Sequence, residues 1–255
     1  MKELYQLLEN KCRLFNNREF INTDPVSIPH GFSRKEDVEI SGFLTALISW
    51  GNRKAILKSA SLLMDLFEGE PFRFITTAPV SDFRRFEKFV YRTFNGDDLL
   101  FLTYALRDIY LERGGLETVA NISYGETGCI KEVITGIRDA LLKTAHLQRS
   151  EKHLANPNRG SAAKRINMFL RWMVRKDNNG VDFGIWEQIP ASALMCPLDV
   201  HSGNVARKLG LLSRKQNDWK AVEALTESLR GFDRRDPVKY DFALFGMGVF
   251  EGWGK

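Results

Sequence analysis

GSAAKRINMFLRWMVR, residues 160–175, is the stretch whose reading decides the fold. Ile166, Phe169, Leu170 and Met173 recur at helical spacing, which predicts one buried face of an amphipathic helix. Two adjacent cations, Lys164 and Arg165, stand at its start, directly behind small residues. A cation at a helix N-terminus opposes the dipole at a cost of about 0.3–1 kcal/mol. Either the lysine escapes into solvent, where that cost is trivial, or the position selects an amine in its neutral form.

The same period runs outward from this segment in both directions. Ile40, Phe43, Leu44, Leu47 and Ile48 form one stripe, and Ile130, Val133, Ile134, Ile137 and Leu141 form another. Leu99, Leu102, Leu106 and Ile109 make a third. Phe83, Phe86, Val90 and Phe94 make a fourth. Opposite them Arg84, Lys88 and Arg92 recur every four positions, as a solvated helix face or a stripe that tracks phosphates. Alternating β-branched runs are missing, so the chain reads as all-α, with about ten helices of ordinary length. Turn-rich breaks fall at 22–33, 154–161, 176–184 and 188–197. They suggest a single all-helical unit, 1–255, of two lobes. Lobe A spans about 35–150, and lobe B combines about 1–34 with 151–255.

Composition narrows the classes. With 44% hydrophobic and 27% charged residues the chain is ordinary for a globular protein. No apolar run reaches the roughly 18 residues of a membrane helix, and the N-terminus MKELYQLLENKCRLF carries acids and lacks the apolar core of a signal peptide. The expected location is the cytoplasm, with no membrane partner. Cys12, Cys129 and Cys196 are scattered, which excludes a disulfide framework or an iron–sulfur cluster. His30, His146, His153 and His201 show no metal-ligand spacing, so no metal and no cofactor is expected. The net charge of +5 is concentrated: residues 149–220 hold 13 Lys/Arg against 6 Asp/Glu. That excess fits a polyanionic partner or a basic solvated surface.

A second segment, CPLDVHSGNVARKLGLL at 196–212, places Asp199 just before a helix whose apolar face is Val205, Leu209 and Leu212. Asp is a favoured N-cap, and capping is the plain reading of this residue taken alone.

Together the two segments resemble the helix-hairpin-helix DNA glycosylases, above all their archaeal 8-oxoguanine branch. The likeness lies in Gly160 followed by Lys164, then Phe169-Leu170-Arg171 at the family's offsets, then Asp199-Val200-His201 with Arg207, Leu209 and Gly210 behind it. TALISWGNRKAIL (45–57) is similar to the family's early helix, which ends in a loop that inserts into DNA. LDVH…NVARKLGLL and DPVKYDFALFG are also similar to an uncharacterised bacterial family along the full length.

The resemblance implies a two-lobed helical fold with a central cleft. Lobe B would carry a hairpin-like segment, 154–176, and the Asp199 helix. It implies a monomeric DNA glycosylase with AP-lyase activity on an oxidised purine such as 8-oxoguanine, working in base excision repair on damaged duplex DNA. Lys164 would attack the sugar C1′ of a flipped nucleoside and form a Schiff base, and Asp199 would stabilise the developing sugar cation. Such a lysine must react in its neutral form, which answers the question its position raises. Gly160, Ser161 and the amides through Ala163 would approach phosphate, although Ala162 stands where the family places its second glycine. Arg165 and His201 would contact nucleic acid or substrate. Asn52 or Arg53 would fill the gap left by the extruded base, unless Gly51-Asn52 merely caps a helix. Lys255 would stand near the base pocket. Two alternatives stay open: a nucleic-acid-binding protein, of DNA or RNA, that keeps the fold without turnover, and a helical interaction scaffold. Lys164 and Asp199 stand far apart in sequence, and the expectation is that their functional groups meet within about 10 Å, the span of one nucleoside.

Overall fold

A computed structural model describes residues 2–254. Twelve α-helices are found among them: α1 Lys2–Phe15, α2 Arg18–Ile21, α3 Lys35–Ile48, α4 Arg53–Leu66, α5 Pro71–Thr77, α6 Gly96–Glu112, α7 Leu116–Thr127, α8 Ile130–Leu142, α9 Lys164–Val174, α10 Val200–Lys208, α11 Trp219–Arg230 and α12 Tyr240–Val249. Two residue pairs, β1 Val90–Tyr91 and β2 Phe94–Asn95, form a minimal antiparallel hairpin. The all-α class follows from the stripes read in the sequence. Those assigned to α3, α6, α8 and α9 are buried at every named position.

The chain divides into two compact units, 23–155 and 1–22 with 156–255. The boundary corrects the expected lobes at two places. Residues 23–34 belong with the middle unit, because the 3₁₀ turns Pro25–Ser27 and Pro29–Gly31 bury Pro25, Val26 and Pro29 and pack on α3. Residues 151–155 join it as well, since His153 stacks on Trp50 and meets Phe94 edge-on.

In the middle unit, α3 is buried from Asp37 through Ile48, so it is a core helix rather than an amphipathic one. Phe67, Phe74, Phe83 and Phe86 form one aromatic cluster, with the Phe67 and Phe86 ring centroids 4.8 Å apart. The fourth stripe is not a helix. Residues 80–86 are 3₁₀, and 90–95 form the hairpin. Phe83, Phe86 and Phe94 are buried as expected, but Val90 is exposed. The turn between β1 and β2 breaks the period of Arg84, Lys88 and Arg92, so these three cations do not share a helix face.

In the other unit, α9 buries every residue from Ile166 to Val174. Its last carbonyls, which no helical amide can reach, are met by the connection that follows. Phe183 N–H donates to the Trp172 carbonyl at 2.8 Å, and Trp186 N–H to that of Met173 at 2.9 Å. The long 176–197 stretch is thus a wrap that closes the end of α9. α12 packs against both α1 and α10. The segment 154–176 is a 3₁₀ turn followed by α9. The turn, Pro157–Arg159, ends at Gly160 in the left-handed region, and four residues later α9 begins. The Asn156 side chain caps the Arg159 amide, and a 3₁₀ helix, Gln148–His153, precedes the turn.

Candidate active site

Lys164 is the first residue of α9, and Asp199 is the N-cap of α10. Lys164 Nζ lies 3.5 Å from Asp199 Oδ2, with both side chains about a quarter exposed. Asp199 divides its two oxygens. Oδ1 accepts the Ser202 amide at 2.9 Å while the Ser202 hydroxyl accepts the Asp199 amide at 2.9 Å, a reciprocal capping box. Oδ2 is the atom turned to Lys164. Asn217 Nδ2 donates to the Asp199 carbonyl at 3.0 Å and holds the backbone. Burial alone would raise the Asp199 carboxyl. The Lys164 ammonium, the Ser202 amide and hydroxyl and His201 outweigh it and hold the group below its ordinary value. The cap and the candidate catalytic carboxylate are therefore one side chain.

Lys164 enters α9 through an unusual residue. Ala163 caps the helix with φ +50, in the left-handed region that an alanine occupies at a cost. Gly160 is the other left-handed residue of the segment, with φ +85. The position in need of glycine-like freedom is thus 163, while Ala162 has no positive φ. Three of the four amides expected to cradle phosphate, those of Gly160, Ser161 and Ala163, are occupied. Gly160 N–H donates to the Pro157 carbonyl, Ser161 N–H to Asn156, and Ala163 N–H to the Ser161 hydroxyl. Gly160 and Ser161 instead tie the turn to α11: Trp219 N–H donates to the Gly160 carbonyl at 3.1 Å, and Ser161 forms a bridge with Asp218. A phosphate could meet these groups only by breaking those bonds.

A buried charge network, unforeseen from sequence, lies along the same helix. Arg171 is seven residues beyond Lys164, two turns along the same face. Its guanidinium binds Asp241 and, at 3.2 Å, Asp182. Arg175, one turn further, binds Asp177, Asp182 at 2.9 Å and Asp236 at 2.9 Å. Both arginines are 3% exposed and lie over the Phe242 ring. Asp241 feels the Lys164 and Asp199 charges too. Burial pushes its carboxyl up to about 6 against the pull of Arg171 and Lys164. Phe245 closes the near side, its ring centroid 6.0 Å from Lys164 Nζ. Asp241 and Phe245 are one helical turn apart on α12.

The other expected residues divide. His201 is exposed in the first turn of α10 and lies against the C-terminal turn, where Asn204 Nδ2 donates to the Gly254 carbonyl at 2.9 Å. Arg165 is half-buried, and burial lowers its guanidinium to about 10, which leaves it a cation at neutral pH. Asn52 and Arg53 lie in the middle unit. Asn52 is the N-cap of α4, accepting the Ala55 amide at 3.2 Å, and Arg53 is the first helical residue. The helix before them ends at Ser49, so Gly51-Asn52 starts α4 rather than capping α3. Lys255 lies outside the described residues. The basic excess of 149–220 shrinks in three dimensions. Arg171, Arg175 and Arg214 are spent on internal carboxylates and Arg149 on Asp97 and Asp98, while Arg159, Lys176, Lys215 and Lys220 remain exposed.

No helix among the described residues is long and apolar enough to cross a membrane. No curated protein and no solved structure matches the chain. A family model does match, over residues 24–250, and the chain belongs to that family, DUF2400, described as a protein of unknown function.

Proposed function

We propose that the chain is a DNA glycosylase with AP-lyase activity on an oxidised purine, built on the two-lobed helix-hairpin-helix glycosylase plan and acting in base excision repair. The observation that carries the reading is the meeting of Lys164 and Asp199 at 3.5 Å, each at the start of its own helix. In this reading the Lys164 amine, its ammonium proton given up to solvent, attacks C1′ while Asp199 stays ionised. The glycosidic bond breaks, its electron pair leaves with the base, and the base takes up a proton. Of the two protons then on Nζ, one goes to the departing base and the other to the ring oxygen as the C1′–O4′ bond opens, which gives an imine between Nζ and C1′. Removal of a C2′ proton then expels the 3′-phosphate, which cuts the strand. A carboxylate held ionised by its cap opposes the positive charge on the sugar as the base departs. With three of the four turn amides occupied, phosphate binding falls mainly to side chains. The test is strand cleavage of a duplex carrying 8-oxoguanine, with release of the free base measured in parallel. Cleavage by the wild-type chain and none by Lys164→Gln supports the reading.

A second reading, nucleic-acid binding without turnover, is favoured by one feature: the Lys164 ammonium is already engaged with Asp199. Retained oligonucleotide affinity with no released base would select it.

A further inference from the structure

The hairpin that interrupts the 80–95 stretch brings a cation to the turn between α3 and α4. Register pairs Tyr91 with Phe94, so Arg92-Thr93 is a two-residue turn. Its first position has φ +55, a conformation that such turns usually give to glycine or asparagine. The chain accepts about 1–3 kcal/mol of backbone strain to keep an arginine there. The turn is fastened to residues 50–51 in three ways. The Tyr91 hydroxyl donates to the Trp50 carbonyl. The Tyr91 and Trp50 rings meet edge-on at 5.2 Å. The Arg92 guanidinium lies over Gly51, so close that any side chain at 51 would collide with it, and Gly51 itself is left-handed at φ +96. Beneath, Trp50 stacks on His153, which faces Asp98 at 3.2 Å, and Ser150 donates to that buried carboxylate at 2.6 Å. Trp50 is thus held from both sides. Arg92 is exposed and has no ion-pair partner among the described residues. Residues 49–54 and 88–93 carry Arg53, Lys54, Lys88 and Arg92 and not one acid.

We propose that the 91–93 hairpin tip and the 50–53 turn form one surface for a nucleic-acid backbone, with the Arg92 guanidinium as its phosphate contact. This rests on the nucleic-acid reading above, but not on turnover. Four cations in two short stretches suit a polyanion, and a guanidinium presents a planar fork to phosphate oxygens. A hairpin tip fastened through Tyr91 to the neighbouring turn holds the Arg92 backbone in place before the ligand arrives, so little backbone freedom is lost on binding.

The experiment uses Lys164→Gln protein throughout, so that no chemistry intrudes. Fluorescence anisotropy follows its binding to a labelled duplex of about 20 base pairs, with or without a tetrahydrofuran abasic site, from low to physiological salt. Arg92→Asn in that background removes the charge yet suits the left-handed turn, and Arg92→Gly is the second such variant. Arg84→Ala, at an exposed arginine in the preceding 3₁₀ helix, removes an equal charge elsewhere. Arg92→Asn and Arg92→Gly are expected to weaken binding about five- to tenfold on both duplexes and to lower the salt slope by about 0.9, one phosphate contact. Arg84→Ala is expected to change affinity less than twofold. Equal losses at 84 and 92, an unchanged slope, or no binding by the parent overturns the proposal. If the Arg92 effect holds while the wild-type chain releases no base, the surface stands and the glycosylase reading falls.

Discussion

Asp199 gives one carboxylate oxygen to the Ser202 amide and turns the other toward Lys164 Nζ, 3.5 Å away, so the residue that starts α10 also holds the charge of α9. Asp199→Asn separates the two functions. Asparagine caps about as well as aspartate, so thermal stability is expected to change by less than about 1 kcal/mol. The charge that opposes a sugar cation is lost, and single-turnover base release is expected to fall by about 10²–10³. A fall in stability with full activity would mean that Asp199 is a cap and nothing more.

Arg175 holds three carboxylates of which one, Asp182, is wholly buried. Arg175→Met is expected to cost about 3–5 kcal/mol in urea unfolding with an unchanged m-value, because Asp177 and Asp236 lose their arginine while Asp182 keeps only Arg171. A loss below about 1 kcal/mol would show that the network is replaceable.

Asp241 titrates in a direction opposite to Asp199. Burial raises its carboxyl from 3.8 to about 6, so between these values the folded chain keeps a proton that the unfolded chain has lost. Its contribution to stability is complete below 3.8 and disappears as pH rises through about 6. Asp199, held below 3.8, contributes above that value and loses its contribution as pH falls. Carboxyl ¹³C shifts of Asp241 are expected to show a midpoint near 6. In Lys164→Gln the midpoint moves up, since one of the charges that lower it is gone. A midpoint near 4 would contradict the burial account.

The sequence made the helices legible where one face is apolar at a steady period, as in α6, α8 and α9. It misled at 80–95, where Phe83, Phe86 and Phe94 keep helical spacing but Arg92 takes a left-handed turn that periodicity cannot register. Lys164 and Asp199 were legible because each starts a helix beside recognisable partners. Asp241 and Arg171 were not. Their pairing joins α9 to α12, and no local pattern announces a contact between positions so distant in the chain. Nor does a surplus of cations in 149–220 reveal that Arg171 and Arg175 face inward, since the acids that neutralise them include Asp236 and Asp241 beyond the segment.

Borohydride trapping tests the central claim most directly. An imine between Lys164 Nζ and C1′ is reduced to a stable amine, leaving a covalent protein–DNA band. Wild-type chain incubated with borohydride and a duplex carrying 8-oxoguanine or an abasic site is expected to give that band, with the cross-link mapped to Lys164 by peptide mass spectrometry. Lys164→Gln is expected to abolish it while unfolding within about 1 kcal/mol of the wild type, because the ion pair it removes is partly exposed. No band with either substrate, or a band that survives in Lys164→Gln, would contradict the assignment of Lys164 as the nucleophile.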